Sequence, residues 1–225
     1  MNAADAELTR RVVEYAREAG AALVGCAEMA DWAALPRAVA VAVPHSPELL
    51  AEPEHLPTLL YHEEYLALNR RLDLIIAEVA GLLEVEGYAV QAHPATVAQL
   101  NAETLAAPFS HKMAATRAGL GWIGKSALLV TPEFGPAVRL GSLLTDAPLV
   151  TGTPITVSRC GDCTRCEQAC PGGAISGRHW EAGRKREEFY DAFACARTAR
   201  GRSQARGIES TLCGVCMAVC GKRPR

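Results

Sequence analysis

The chain is expected to fold as a mixed α/β (α+β) protein in two parts, a layered domain over residues 1–155 and a cysteine-rich domain over 156–225. Three observations carry that expectation. Helix-period segments and short apolar, strand-like runs alternate through the first 150 residues. Pro148, Gly152 and Pro154 punctuate the stretch from 147 to 156. Eight of the nine cysteines follow that stretch, in two tight runs with one cysteine between them.

Each element follows from its local pattern. Over residues 5–20, Leu8, Val12, Tyr15, Ala16 and Ala19 share one helical face. Ala38 to Val43 is a continuous apolar run ended by Pro44, the pattern of a buried strand. Residues 45–57, rich in proline, read as a loop. From about 58 to 86, Leu72, Ile75, Ile76, Val79, Leu82 and Leu83 recur at helical spacing, and Gly87 ends the helix. Residues 88–93 read as a second strand, and 109–118 as a short helix stopped by Gly119. Residues 126–131 and 137–144 flank a Pro/Gly turn and read as a hairpin. Cys26, in an Ala/Val/Gly segment, reads as a core residue.

The cysteines carry the chemistry. Cys160, Cys163, Cys166 and Cys170, followed by Pro171, stand in the order C-x2-C-x2-C-x3-C-P. That is the ferredoxin signature of a two-cluster protein, in which the fourth cysteine ligates the other cluster. The second run is Cys213, Cys216 and Cys220, and Cys195 lies between. By this logic one [4Fe–4S] cluster takes Cys160, Cys163, Cys166 and a cysteine of the second run, for which Cys220 is the first choice. The other takes Cys170, Cys213 and Cys216, with Cys195 filling the fourth place. Zinc is the competing reading, but it favours paired C-x2-C ligands at a tetrahedral site. The third cysteine of the loop and Pro171 favour iron–sulfur.

Charge supports that reading. The net charge of −2 hides an excess of eight acids in residues 1–155 and an excess of six bases in 156–225. Reduced thiolate clusters are anionic, so positive charge near their ligands compensates them. A nucleic-acid footprint is the other reading of Arg184 to Arg186 and Arg197 to Arg206, but aromatic residues do not interleave them. No run of 18 apolar residues occurs. Glu14, Arg17 and Glu18 interrupt what would be the apolar core of a twin-arginine leader at Arg10-Arg11. Eight clustered thiols without a leader point to a cytoplasmic protein with no membrane partner.

Gly119 to Ser126 matches G-x4-G-K-[ST], and also G-x-G-x-x-G. Both phosphate motifs require a strand before and a helix after. The order expected here is helix, glycine turn, strand. The motif therefore reads as a tight turn, or as a bed for a flat cofactor formed by Gly119, Gly121, Trp122, Gly124 and Lys125.

The stretch from Ala118 to Ser126, the Leu128 to Gly135 segment, Leu140 to Asp146 and the spaced cysteines together resemble the epoxyqueuosine reductase family. The resemblance implies a nitroreductase-like α/β domain that binds cobalamin, followed by two [4Fe–4S] clusters with the ligand division above. It also relates the chain to the reductive dehalogenases. The departures are specific. The family's acid position aligns with Leu105, and its Glu-Arg pair with His111-Lys112. The second run ends Cys220-Gly221, not Cys-Pro, and no D-x-H-x-x-G offers a histidine to cobalt. The family's tRNA-binding repeats have no counterpart before Arg225, so a tRNA substrate is not expected.

What is expected is a reductase that passes single electrons from the clusters to a corrinoid or a small-molecule substrate. Its donor would be a low-potential ferredoxin or flavodoxin. Lys112 and His111 are the candidate catalytic proton donors, with Tyr61 and Tyr65 behind them. The alternative is an electron-transfer protein that activates a corrinoid protein and does no bond chemistry itself. His179-Trp180 reads as cover for a cluster, and Arg184 to Glu188 as a solvated face.

Overall fold

The computed structural model describes residues 2–96 and 100–223. Helix α1 (Ala3–Glu18) starts at Asn2, whose side-chain oxygen accepts from the Asp5 amide at 2.8 Å. Leu8, Val12 and Ala16 face inward, whereas Tyr15 is largely exposed, so the buried stripe is narrower than its sequence spacing implies. Strands β1 (Leu23–Glu28) and β2 (Arg37–Pro44) form an antiparallel pair. Cys26 on β1 is buried. Two 3-10 turns cross the proline-rich loop that leads to α2 (Leu59–Val85). Thr58 caps α2, accepting from the Tyr61 amide at 3.1 Å.

Strand β3 (Val90–His93), helix α3 (His111–Arg117), the short strands β4 (Trp122–Ile123) and β5 (Leu129–Val130), and strand β6 (Val138–Thr145) complete the layered part. The main sheet runs β1-β2-β6-β3, with every neighbouring pair antiparallel. The expected hairpin does not form. β5 pairs with β4, and β6 inserts between β2 and β3. The turn chemistry at 132–136 signalled a reversal, but pairing was decided by burial: β6 has apolar residues on both faces and belongs in the sheet interior.

Alternation along β2 divides the core. Val39, Val41 and Val43 pack with Leu72, Ile75, Val79 and Leu83 of α2 and with Val12 of α1. Ala38 and Ala40 point to the other face, where Ala114 and Ala115 of α3 lie. Small side chains there let α3 approach closely. Each fully buried valine contributes about 1.5–3 kcal/mol by leaving water. Gly141 on β6 sits under α2, where a Cβ would lie 3.1 Å from Ile76 Cγ1.

The C-terminal third uses less regular structure: α4 (Arg165–Gln168), α5 (Ala192–Gln204) and α6 (Val215–Ala218). It shares cores with the first part. Phe189 is buried in the cluster around α3, while Val215 and Met217 pack with Leu50, Leu56 and Tyr61. Among the described residues, no helix is long and apolar enough to cross a membrane.

A candidate double cluster centre beside a cationic cavity

The first cysteine loop winds around α4, with Gly161 in the left-handed region at φ 58°. The second winds around α6, whose N-cap Gly214 has φ 85°. Only glycine takes these angles without strain, which is what lets closely spaced thiols turn inward. Burial pushes the Cys166 thiol up to about 11, with Cys160, Cys220 and Cys163 adding to the effect. Burial also raises Cys220, again with Cys160 and Cys163 nearby. Cys216 is raised by burial and then by Cys195, Cys213, Cys166 and Cys170. Two neighbourhoods result. Cys160, Cys163, Cys166 and Cys220 share one, Cys170, Cys195, Cys213 and Cys216 the other, and Cys166 lies close enough to Cys216 to link them. The eight sulfurs are the right donors for two cubanes. Among the described residues no three His, Cys, Asp or Glu side chains converge tightly enough to hold a single metal ion.

The glycine segment serves the first cysteine loop. A Cβ on Gly121 would sit 2.3 Å from the Val130 carbonyl oxygen, and one on Gly119 would sit 2.8 Å from that of Thr153. On Gly124 it would meet Val130 at 2.8 Å and the Cys160 sulfur at 3.5 Å. Trp122 is buried, with Arg159 5.9 Å above its ring. Lys125 is buried and donates to the Cys163 carbonyl at 3.0 Å. The bed for a flat cofactor expected of Gly119, Gly121, Trp122, Gly124 and Lys125 is therefore corrected. Main chain fills the space above Gly119 and Gly121, the Val130 side chain that above Gly124, and none of the five lines the cavity described next. As expected, helix α3 precedes the turn and strand β5 follows, the reverse of a phosphate loop.

That cavity, of about 640 Å³, lies between α3, the β4–β5 turn and the 180–189 segment. Its walls are mostly apolar, among them Ile123, Leu129, Leu140 and Phe189. Lys112 lines it, and its ammonium donates to the Ala127 carbonyl at 2.7 Å. Ala127 has φ 57°, an angle that costs a non-glycine residue and aims this carbonyl at the amine. Burial, and then Arg186, bring the Lys112 amine down to about 8. Part of the stem meets the cavity, while the surrounding protein encloses the charged end.

His111 also lines the cavity, but its ring is committed. Nδ1 pairs with the Ser142 hydroxyl at 2.5 Å, and Nε2 with the Pro94 carbonyl at 3.0 Å. The carbonyl accepts only, so Nε2 carries the hydrogen and the serine donates to Nδ1. Burial holds the ring below its ordinary pKa, which keeps it neutral. His111 thus has no proton to give a ligand, and its expected donor role gives way to anchoring α3 on β6. Tyr61 and Tyr65 do not line the cavity. Tyr61 packs on Gly214, and burial raises its phenol. Tyr65 lies 4.4 Å beneath the Arg139 guanidinium.

Two expectations about the 180–188 segment also change. Arg184 and Arg186 line the cavity, so this is no purely solvated face. Arg186 donates to the Thr104 and Leu105 carbonyls, which pins the 100–109 loop over the site. Trp180 packs against the α3 core and lines the cavity, whereas His179 Nε2 donates to the Gly161 carbonyl in the first cysteine loop at 2.9 Å. Spacing in the sequence gave no sign of Arg117 and Arg139 as cavity residues, because β6 and α3 bring them there from separate segments.

Residues 159–223 match the family of 4Fe-4S double cluster binding domains. An epoxyqueuosine reductase of Listeria monocytogenes is 48% identical over 63 residues, which cover 28% of this chain and 16% of that protein. One from Bacillus anthracis is 36% identical over 94 residues, covering 42% of this chain and 24% of the relative. The matched stretch is thus a quarter or less of these relatives' length. Among solved structures, the catabolic reductive dehalogenase NpRdhA aligns with a TM-score of 0.70 at 18% identity, over 98% of this chain and 32% of that one. Epoxyqueuosine reductase with a modified tRNA-Tyr stem loop aligns with a TM-score of 0.61 at 19% identity, over 97% and 67%. These last two likenesses establish the fold. The chain therefore has the mixed α/β fold seen in these two structures and, over residues 159–223, a 4Fe-4S double cluster binding domain similar to that stretch of the epoxyqueuosine reductases.

Proposed function

We propose that this protein is an oxidoreductase in which the two clusters pass single electrons to a ligand in the cavity. One observation carries the reading. Phe189 lines the cavity, while the adjacent Tyr190 has its phenol against Cys195. One dipeptide therefore spans the second cluster's ligand set and the cavity wall. Cys160, Cys163, Cys166 and Cys220 would hold the first cluster, and Cys170, Cys195, Cys213 and Cys216 the second. A low-potential ferredoxin or flavodoxin in the cytoplasm would supply the electrons one at a time.

Lys112 is the proton donor of this reading. The residue lines the cavity, its enclosed ammonium is held by one carbonyl, and it titrates near 8, close to where an acid is most effective. A two-electron reduction of a ligand would take one electron from each cluster and a proton from Lys112: a bond to hydrogen forms, the leaving group departs as an anion with the electron pair of the bond that breaks, and solvent and the electron donor then restore Lys112 and the clusters. The apolar walls and cationic groups suit a corrinoid, which, when bound, supplies a cobalt centre able to accept single electrons. His111 offers cobalt no free nitrogen. The alternative, an electron carrier that reduces a partner corrinoid protein, is favoured by one observation: apolar Leu105 stands at the family's acid position, its carbonyl turned to Arg186.

Iron and cobalt content per chain, after anaerobic expression with cobalamin supplied, is the first test. Two clusters give about eight iron. About one cobalt, together with oxidation of the reduced clusters on adding ligand, supports the reductase. Full iron without cobalt, and no cluster oxidation by small ligands or by an epoxyqueuosine-modified stem loop, leaves the electron carrier. About two zinc and no iron defeats both.

A further inference from the structure

The glycine segment that supports the first cysteine loop also carries two polar groups that the fold leaves short of partners. Lys125 is 4% exposed and donates to the Cys163 carbonyl at 3.0 Å. No carboxylate lies within ion-pair distance of it among the described residues. A lysine this buried is ordinarily paired, because an enclosed charge without a counter-charge is costly. Trp122 is 5% exposed, and its indole N–H has no acceptor among the described residues. A buried donor left unpaired costs about 1–3 kcal/mol.

Both groups stand on the side of the first ligand set. Strand β4 alternates, and its ladder runs on to Gly124, whose amide donates to the Leu128 carbonyl at 2.8 Å. Ile123 lines the cavity, so Trp122 and Gly124 project to the opposite side. There a Cβ on Gly124 would lie 3.5 Å from the Cys160 sulfur, and Arg159, next to Cys160 in the chain, lies 5.9 Å over the Trp122 ring. Other charges of this loop, Arg159, Asp162 and Arg165, are exposed, and water screens them. Lys125 is enclosed, so its charge acts at nearly full strength. In the second ligand set the side-chain donor at Cys195 is the neutral Tyr190 phenol. A thiolate-bound cubane gains one negative charge when it takes an electron. A fixed cation therefore favours its reduced form, and hydrogen bonds to the sulfurs act in the same direction.

We propose that Lys125 and the Trp122 N–H raise the reduction potential of the cluster on Cys160, Cys163, Cys166 and Cys220, Lys125 as its buried counter-charge and Trp122 as a donor to one of its sulfurs, so that this cluster fills before the second. This rests on the double-cluster reading and on that division of the ligands. The second cluster, beside the Tyr190–Phe189 link to the cavity, is then the stronger reductant of the two.

The test is a redox titration of the anaerobic full chain with both clusters loaded and no added ligand, followed by electron paramagnetic resonance. Two one-electron steps are expected. Lys125→Met should weaken the hold of the first cluster on its electron about tenfold, which lowers the higher potential by about 59 mV and leaves the lower one in place. Lys125→Arg keeps the charge and should restore most of the loss. Trp122→Phe keeps a ring, removes the N–H and should lower the same step about threefold. Tyr190→Phe should move the other step, which tells the two clusters apart. A higher potential unmoved by Lys125→Met in protein that holds about eight iron, or lowered equally by Lys125→Arg, overturns the proposal. So does a Lys125→Met shift confined to the step that Tyr190→Phe moves. If Lys125→Met holds too little iron to titrate, unmoved potentials in Trp122→Phe overturn it alone. A parent protein without about eight iron defeats the double-cluster reading instead.

Discussion

The cysteine loops and the cavity hold their functional groups by opposite means. Seven of the eight thiols lie on or beside the four-residue helices α4 and α6, with left-handed glycines between them, and Cys195 lies on α5. The cavity's cations are carried on α3, β6 and the 180–189 segment, backed by a sheet whose two faces are both covered. Clusters cross-link the segments that bind them, so metal binding itself supplies folding free energy there. Nothing cross-links the cavity wall, and its charges stay in place only because a packed core fixes them. One region is therefore held by its cofactors, the other holds itself ready for a ligand.

The largest test of that contrast is Cys195→Ser. It removes the proposed fourth ligand of the second neighbourhood, and iron should fall from about eight to about four per chain, with a marked loss of thermal stability. Iron that stays at eight would remove Cys195 from the ligand set. Gly121→Ala follows, because its Cβ would meet the Val130 carbonyl oxygen at 2.3 Å, and the next nearest atoms are main chain of Val130 and Thr131, which yields less readily than a side chain. A loss of about 3 kcal/mol or more in denaturant melts is expected. A mild effect would mean that the turn supporting Cys160 and Cys163 can shift.

Lys112→Met should lower ligand reduction about 10²–10⁴-fold while cluster reduction by dithionite stays normal. In the parent protein, the rate should fall as pH rises through about 8, where the ammonium is lost, and the variant should lack that limb. Stability gives a second readout. The folded pKa lies below the ordinary 10.5, so between about 8 and 10.5 the unfolded chain binds more protons and stability rises with pH. Lys112→Met should flatten that rise. His111→Asn is the smallest effect. Losing the Ser142 and Pro94 hydrogen bonds should cost about 1–3 kcal/mol, with the limb near pH 8 retained. Loss of that limb instead would return His111 to the proton-donor role.

Legibility in the sequence followed the same divide. Helix α2 and strand β2 were readable because their apolar periods are long and unbroken. Strand β1 was not read, since Gly25 and Cys26 interrupt any alternation and only pairing with β2 makes the segment a strand. The hairpin expected at 126–144 failed because a turn signal says that the chain reverses, not which strand it then joins. Arg184 and Arg186 were read as surface charge, since a charged tripeptide looks the same whether it faces water or a cavity.

The sequence by itself determined the metal chemistry. Cysteine spacing is local, and a C-x2-C-x2-C loop specifies its own geometry within seven residues. The tertiary structure alone decided the cavity, its cations and the committed state of His111. Those depend on β6 entering between β2 and β3, which brings Ser142 beside His111, 31 positions earlier in the chain, and Arg139 beside Asn69, 70 positions earlier. Such convergence is set by packing between distant segments, and no short-range pattern encodes it.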